Sequence, residues 1–240
     1  MRVTSRSPSW CLLGVVLAAG LGTGCATESG ACGEVVTVSR PDEWAPFPKK
    51  PAREEWARWP GDGFVGYLVA ERAGSLVGLK SLKSLFPQLP DDCTGLVRAA
   101  WAETGVDLLA AAVRGDNGVT AMYRLAQARG ALEDGPPSPG DLVFFRETYD
   151  RNRDGRFNDG LTHVAVVESV DADGTVTYVH RASSGVTRAR LNRSAPDLRA
   201  SAGGSVLNDY LRPRSRLSPA VLSGELFAGY ASAQRLAAGP

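Results

Sequence analysis

The chain holds two histidines, His163 and His180, and four cysteines, Cys11, Cys25, Cys32 and Cys93. Cys93 directly follows an aspartate at what reads as the opening of a helix. A thiol attacks a carbonyl only as thiolate, and a helix N-terminus and a nearby imidazolium are two common ways to stabilise one. A base must then reach the thiol, and a third polar group must orient the base. Cys93, His163 and His180 can fill those roles in that order. Each has a plainer reading alone: Cys93 as a small buried hydrophobe, each histidine as a hydrogen-bonded strand residue.

A second cluster precedes His163. Asp150-Arg151-Asn152-Arg153-Asp154-Gly155 matches the first half of an EF-hand-type calcium loop, with oxygen ligands at positions 1, 3 and 5 and a glycine at the sharp turn. Position 12 is Leu161 where a bidentate acid is needed, and Asn158 and Asp159 are the residues that could compensate. The sequence thus allows a variant calcium site fixing the strand that bears His163, with no part in the chemistry. It equally allows a solvated Asx-turn connector.

The elements that must position these residues follow from pattern. Residues 92–104 read as a helix capped by Asp92, with Leu96, Val97, Ala100 and Trp101 as its buried stripe and Gly105 as its stop. Residues 119–131 read as a second helix with Met122, Leu125 and Ala126 on one face. After the turn-rich stretch Gly135 to Gly140, residues 142–145, 162–169, 175–182 and 186–191 read as strands. Helices first and an antiparallel sheet second means α+β. In an antiparallel hairpin, His163 faces His180 directly if the turn centres on Asp171 and Ala172. A tight turn at Asp173-Gly174 offsets the two by four positions, too far for a hydrogen bond. Contact between the histidines therefore predicts a longer loop or a bulge in place of that turn.

Charge and composition bound the rest. With 27 basic and 26 acidic residues, a net charge of +1 and 43% hydrophobic residues, the chain is neither disordered nor a basic nucleic-acid binder. The apolar stretch from Cys11 to Gly24 is too short to span a membrane as a helix. Arg2 and Arg6 before Leu12 to Ala19 give the charged, apolar, small-residue order of a secretory signal, residues 1–24. Leu21-Gly22-Thr23-Gly24-Cys25 resembles a lipobox whose cysteine is lipidated, although Gly22 stands where Leu is preferred. An ordinary signal peptidase could also use Gly22 and Gly24, and either route exports the protein. Cys32 and Cys93 then remain as thiols, free or joined by one disulfide. Residues 25–63 form a tether and a segment rich in proline, with Trp44, Trp56 and Trp59 either packing on the main domain or lining a groove. Residues 64–192 are the expected catalytic domain, and 193–240 a C-terminal covering segment.

Four motifs in order carry a resemblance. Asp92-Cys93-Thr94-Gly95-Leu96-Val97, Pro139-Gly140-Asp141-Leu142, Thr162-His163-Val164-Ala165-Val166 and His180-Arg181-Ala182-Ser183-Ser184-Gly185-Val186 resemble the motifs of the NlpC family of bacterial cell-wall cysteine peptidases, with Arg181 inserted in the last. The CHAP amidases and endopeptidases share the P-x-P-G-D and H-V-A-I-V strands and are the near alternative. The resemblance implies a papain-like fold, a nucleophile helix packed on an antiparallel sheet. It implies Cys93 as nucleophile, His163 as base, His180 as orienting residue and the Cys93 backbone N–H as oxyanion donor. The activity implied is hydrolysis of an amide in peptidoglycan stem peptides next to D-γ-glutamate, without a catalytic cofactor. The family's Tyr-x-Trp-Gly-Gly stretch is missing, so its substrate pocket does not carry over. The expectation is a monomer anchored in the cell envelope by lipid, or secreted or periplasmic without it. The rivals are a catalytically idle papain-like lipoprotein that binds cell-wall peptide or a protein partner, and a CHAP-type amidase.

Overall fold

The structure is a computed structural model that describes residues 64–213 and 219–238. The export signal, Cys25, Cys32 and the tryptophan-rich segment lie outside the described residues. Helix α1 (Phe64–Ser75) comes first, followed by a 3-10 turn at Leu82–Ser84, helix α2 (Cys93–Trp101) and helix α3 (Gly118–Ala128). Strands β1 (Leu132–Glu133), β2 (Leu142–Arg146), β3 (Leu161–Val170), β4 (Val176–Ala182) and β5 (Gly185–Leu191) follow. The chain closes with α4 (Ser223–Leu226), β6 (Phe227–Ala231) and α5 (Ala233–Ala238).

The strands form one antiparallel sheet in the order β1-β6-β2-β3-β4-β5. Alternation along β2 and β3 sends Leu142, Phe144, Val164 and Val166 to one face, where they meet Leu96, Trp101 and Met122 of the helices. Val143, Phe145, Ala165 and Val167 go to the other face, with Tyr178, Leu226 and Tyr230. Both faces of the central strands are buried, which is why these strands read as unbroken apolar runs. The fold is α+β, as its sequence pattern indicates, with a cysteine-bearing helix packed on an antiparallel sheet.

Two elements depart from the sequence pattern. Helix α1 buries Gly66, Val69, Ala70 and Ala73, a face of mostly small residues with little periodic contrast. It fits because the backbone at Gly140 approaches it closely: a Cβ there would lie 2.0 Å from the Gly66 carbonyl oxygen, and Gly140 has φ +89°. The segment expected only to cover the sheet supplies one of its interior strands, since β6 pairs with β2 on one side and β1 on the other. Asp141 locks that return. Its buried carboxylate accepts N–H groups from Ser138 and from Ala233 at the start of α5, both at 2.8 Å.

Candidate active site

Cys93 opens α2, and its placement begins with the two aspartates before it. Asp92 caps the helix: its Oδ1 accepts the backbone N–H of Thr94 and of Gly95, each at 2.9 Å, and the Thr94 hydroxyl at 2.7 Å. The first turn is pressed onto the preceding loop, so that a Cβ on Gly95 would lie 1.8 Å from the Pro90 carbonyl oxygen. Asp91 reaches across to the sheet. Its two oxygens take Nε and Nη2 of Arg181 at 3.0 and 3.1 Å, and Oδ1 also accepts the Leu82 N–H at 2.9 Å. The Arg181 guanidinium and the Leu82 N–H hold the Asp91 carboxyl well below the usual carboxylate range. Arg181, the residue inserted after His180, also donates to the carbonyls of Lys80 and Ala182. One arginine thus ties the loop before Cys93 to the end of β4.

The histidines meet through the register that their contact requires. Val170 pairs with Val176, a bulge intervenes between Val167 and Ser169, and Val167 and Val166 then pair with Tyr178 and Val179. The Asp173-Gly174 pair is not a two-residue turn: the loop is closed by the Asp171 N–H on the Thr175 carbonyl and the Gly174 N–H on the Asp171 carbonyl. Carried past Val166 and Val179, this register sets His163 opposite Ala182, two positions from His180 and on the same face. His163 Nε2 and His180 Nδ1 are 3.0 Å apart, with rings nearly perpendicular at 89°. His163 also packs beside Phe145, and His180 beside Tyr178.

Electrostatics makes the resting site neutral. Burial, and then the like charge of His180, push the His163 imidazole down to about 3; burial pushes His180 down to about 4. Burial likewise pushes the Cys93 thiol up to about 11, against the pull of backbone N–H groups of Val164, Thr94 and Cys93 itself. The helix N-terminus does not offset that desolvation, so burial favours a thiol and a neutral imidazole. The Val164 N–H next to His163 brings the sulfur alongside β3. Cys93 is a free thiol.

The acidic loop follows Tyr149, which lines the cleft. Glu147, at φ 56°, accepts the N–H groups of Asp159 and Gly160, each at 2.9 Å, and the Thr148 and Thr162 hydroxyls pair at 2.9 Å. Inside the loop, Asp150 accepts the N–H groups of Asp154 and Gly155, Asn152 that of Asp154, and Asp159 those of Arg151 and Asn152. These are the hydrogen bonds of an Asx-rich connector. Among the described residues, no three His, Cys, Asp or Glu side chains converge to hold a metal.

Two cavities meet at the histidines. One, of about 450 Å³, is lined by Cys93, Thr94, Asn117, Thr162 and His163; the other, of about 780 Å³, by Thr148, His180, Tyr210, Leu211 and Arg212. They share Tyr149, His163, Arg181, Ala182 and Ser183, and so form two arms of one cleft. The structure therefore brings Cys93, His163 and His180 to one place, with Asp150, Asn152, Asp154 and Asp159 in the loop beside it. Sequence reasoning missed Asp91, Tyr149, Thr148 and Tyr210. Arg181 stood out as an insertion, but nothing near it in sequence reveals its partner Asp91.

A helix-borne cysteine beside strand-borne histidines on an antiparallel sheet is the arrangement of papain-like hydrolases. Within that class, residues 86–182 match the CHAP domain, a papain-like cell-wall amidase and peptidase domain. The match holds the first three motifs and the start of the fourth; it is to CHAP, the near alternative of the sequence reading, and it supports peptidoglycan hydrolase activity. No curated protein and no solved structure matches the chain. No helix among the described residues is long and apolar enough to cross a membrane.

Proposed function

We propose that the protein is a cysteine hydrolase that cuts an amide in the peptide stems of peptidoglycan, with D-γ-glutamate beside the scissile bond. The observation that carries this reading is the His163–His180 hydrogen bond in the cleft that Cys93 lines. For His163 to serve as base, its Nε2–H donates to His180 Nδ1, which leaves His163 Nδ1 unprotonated towards the thiol. The Cys93 proton moves to His163 as sulfur attacks the carbonyl carbon, and the Cys93 N–H helps hold the oxyanion. The C–N bond breaks, and the amine leaves with the proton from His163. Water, deprotonated by His163, then hydrolyses the thioester.

The chemistry needs no metal. Calcium belongs to the proposal as a structural ligand of the 150–159 loop alone: it raises the melting temperature of the wild type and not of Asp150→Asn, and an unchanged wild-type value removes it. Lipidation at Cys25 is proposed on the lipobox resemblance, and mass spectrometry of the mature N-terminus tests it. The raised thiol favours one second reading, an idle domain that binds cell-wall peptide or a protein partner, because an unused cysteine is kept as thiol. Mass spectrometry of digested peptidoglycan separates the two. New fragments with the full wild-type chain and none with Cys93→Ala support hydrolysis, and their masses distinguish endopeptidase from amidase. No fragments from a folded wild type leave the idle domain.

A further inference from the structure

The larger arm of the cleft differs in chemistry from the arm that holds Cys93. Two tyrosines line it, Tyr149 at 51% and Tyr210 at 59% exposure, so large parts of both side chains are open to a ligand. Tyr210 lines only this arm, whereas Tyr149 stands where the arms join. Tyr210 is braced by the Arg199 guanidinium, 5.5 Å from its ring centroid, and Arg199 is held in turn by Asp209 at 3.1 Å. Tyr149 leaves from the Thr148–Thr162 clamp at the base of its loop. The Tyr210 ring is thus presented on an ordered support, with less entropy to lose on binding.

The cations of this arm are already engaged. Arg181 is taken by Asp91, while Arg212 donates to the Ala220 carbonyl and stacks on Phe157 at 3.8 Å. The polar side chains that complete the lining, Thr148 and Ser183, are neutral. Aromatic rings with neutral hydroxyls around them suit a ligand that is uncharged, flat on one side and rich in hydroxyl or amide groups. An acidic peptide would call for uncommitted cations instead. A volume of about 780 Å³ lies within the range of small-ligand sites.

We infer that the arm flanked by Tyr149 and Tyr210 is a saccharide subsite that takes amino-sugar rings of the glycan strand while the attached stem enters the Cys93 arm. This rests on the peptidoglycan-hydrolase reading and adds that glycan-linked stems are preferred to free ones. A neutral N-acetylglucosamine oligosaccharide is titrated by calorimetry into the full chain carrying Cys93→Ala, so that binding is read without turnover. Tyr210→Ala weakens binding roughly 10-fold, about 1.4 kcal/mol, and Tyr210→Phe does not. Absence of binding, or equal affinity with Tyr210→Ala in a folded protein, overturns the subsite. In the active protein, kcat/KM for a glycan-linked stem exceeds that for the free stem, and Tyr210→Ala lowers that ratio. An unchanged ratio also overturns the inference. If the wild type cuts neither substrate but binds glycan through Tyr210, hydrolysis fails and the saccharide subsite stands.

Discussion

At the scale of single residues, burial favours a neutral thiol and imidazole in the site. Both histidines are depressed and the thiol is raised, so the competent form, thiol with unprotonated His163, persists down to pH values where an ordinary histidine is already charged. The acid limb of kcat/KM is expected well below 6.5, the unperturbed histidine value. A limb at or above that value would show a His163 that titrates as an ordinary imidazole and would contradict this shift. For the same reason, alkylation of Cys93 by iodoacetamide is slow at neutral pH and still rises above the ordinary thiol range. Removing the base by His163→Ala lowers kcat by roughly 10²–10⁴-fold. His180→Ala also lowers kcat, and His180→Asn restores part of it by keeping an acceptor for the His163 N–H. The candidacy of Cys93 and the histidines is legible from residue type and local context, because the proposed nucleophile, base and orienter demand those chemistries. Arg181 with Asp91 was not, because the pair joins residues far apart in the chain through tertiary contact alone, and Tyr149 and Tyr210 were not, because only the fold brings them to one cavity.

At the scale of elements, a few backbone devices set the site. The Asp92 cap holds the first turn of α2, so Asp92→Ala is expected to cost about 0.5–2 kcal/mol and to slow turnover, and Asp92→Asn to recover most of the stability. Thermal denaturation alongside kcat checks both. Gly95→Ala drives a methyl into the Pro90 carbonyl and displaces the same turn, a larger loss visible in the same melt. The bulge between Val167 and Ser169 moves the β3–β4 register so that His180 comes within reach of His163. The four strands from β2 to β5 could be read from alternation and β-branched content to within a residue or two at each end. Helix α1 could not, because its buried face is built from glycine and alanine and gives almost no periodic signal. Strand β6 could not either, because Phe227 to Ala231 is short and gains its identity only by pairing with β1 and β2.

At the scale of the whole molecule, stability is coupled to the site. The unfolded chain protonates its histidines near 6.5, whereas the folded chain resists down to about 3 and 4. Between those values the unfolded state binds more protons, so stability is complete above pH 6.5 and falls as pH drops. Thermal melts should show this decline starting above the carboxylate range and shallower in His180→Asn; a flat profile to pH 5 would contradict it. The C-terminal return is equally structural. Truncation after Pro213 removes β6 and the Ala233 N–H that Asp141 accepts, and is expected to abolish cooperative unfolding as followed by circular dichroism.

The most direct measurement is intact-mass analysis of the full chain, acid-quenched during turnover of a glycan-linked stem peptide, followed by peptide mapping. A thioester adduct on Cys93, formed by the wild type and absent from Cys93→Ala, is the expected result. Release of the same fragments by Cys93→Ala, at an undiminished rate and without any adduct, would contradict a cysteine mechanism in this cleft.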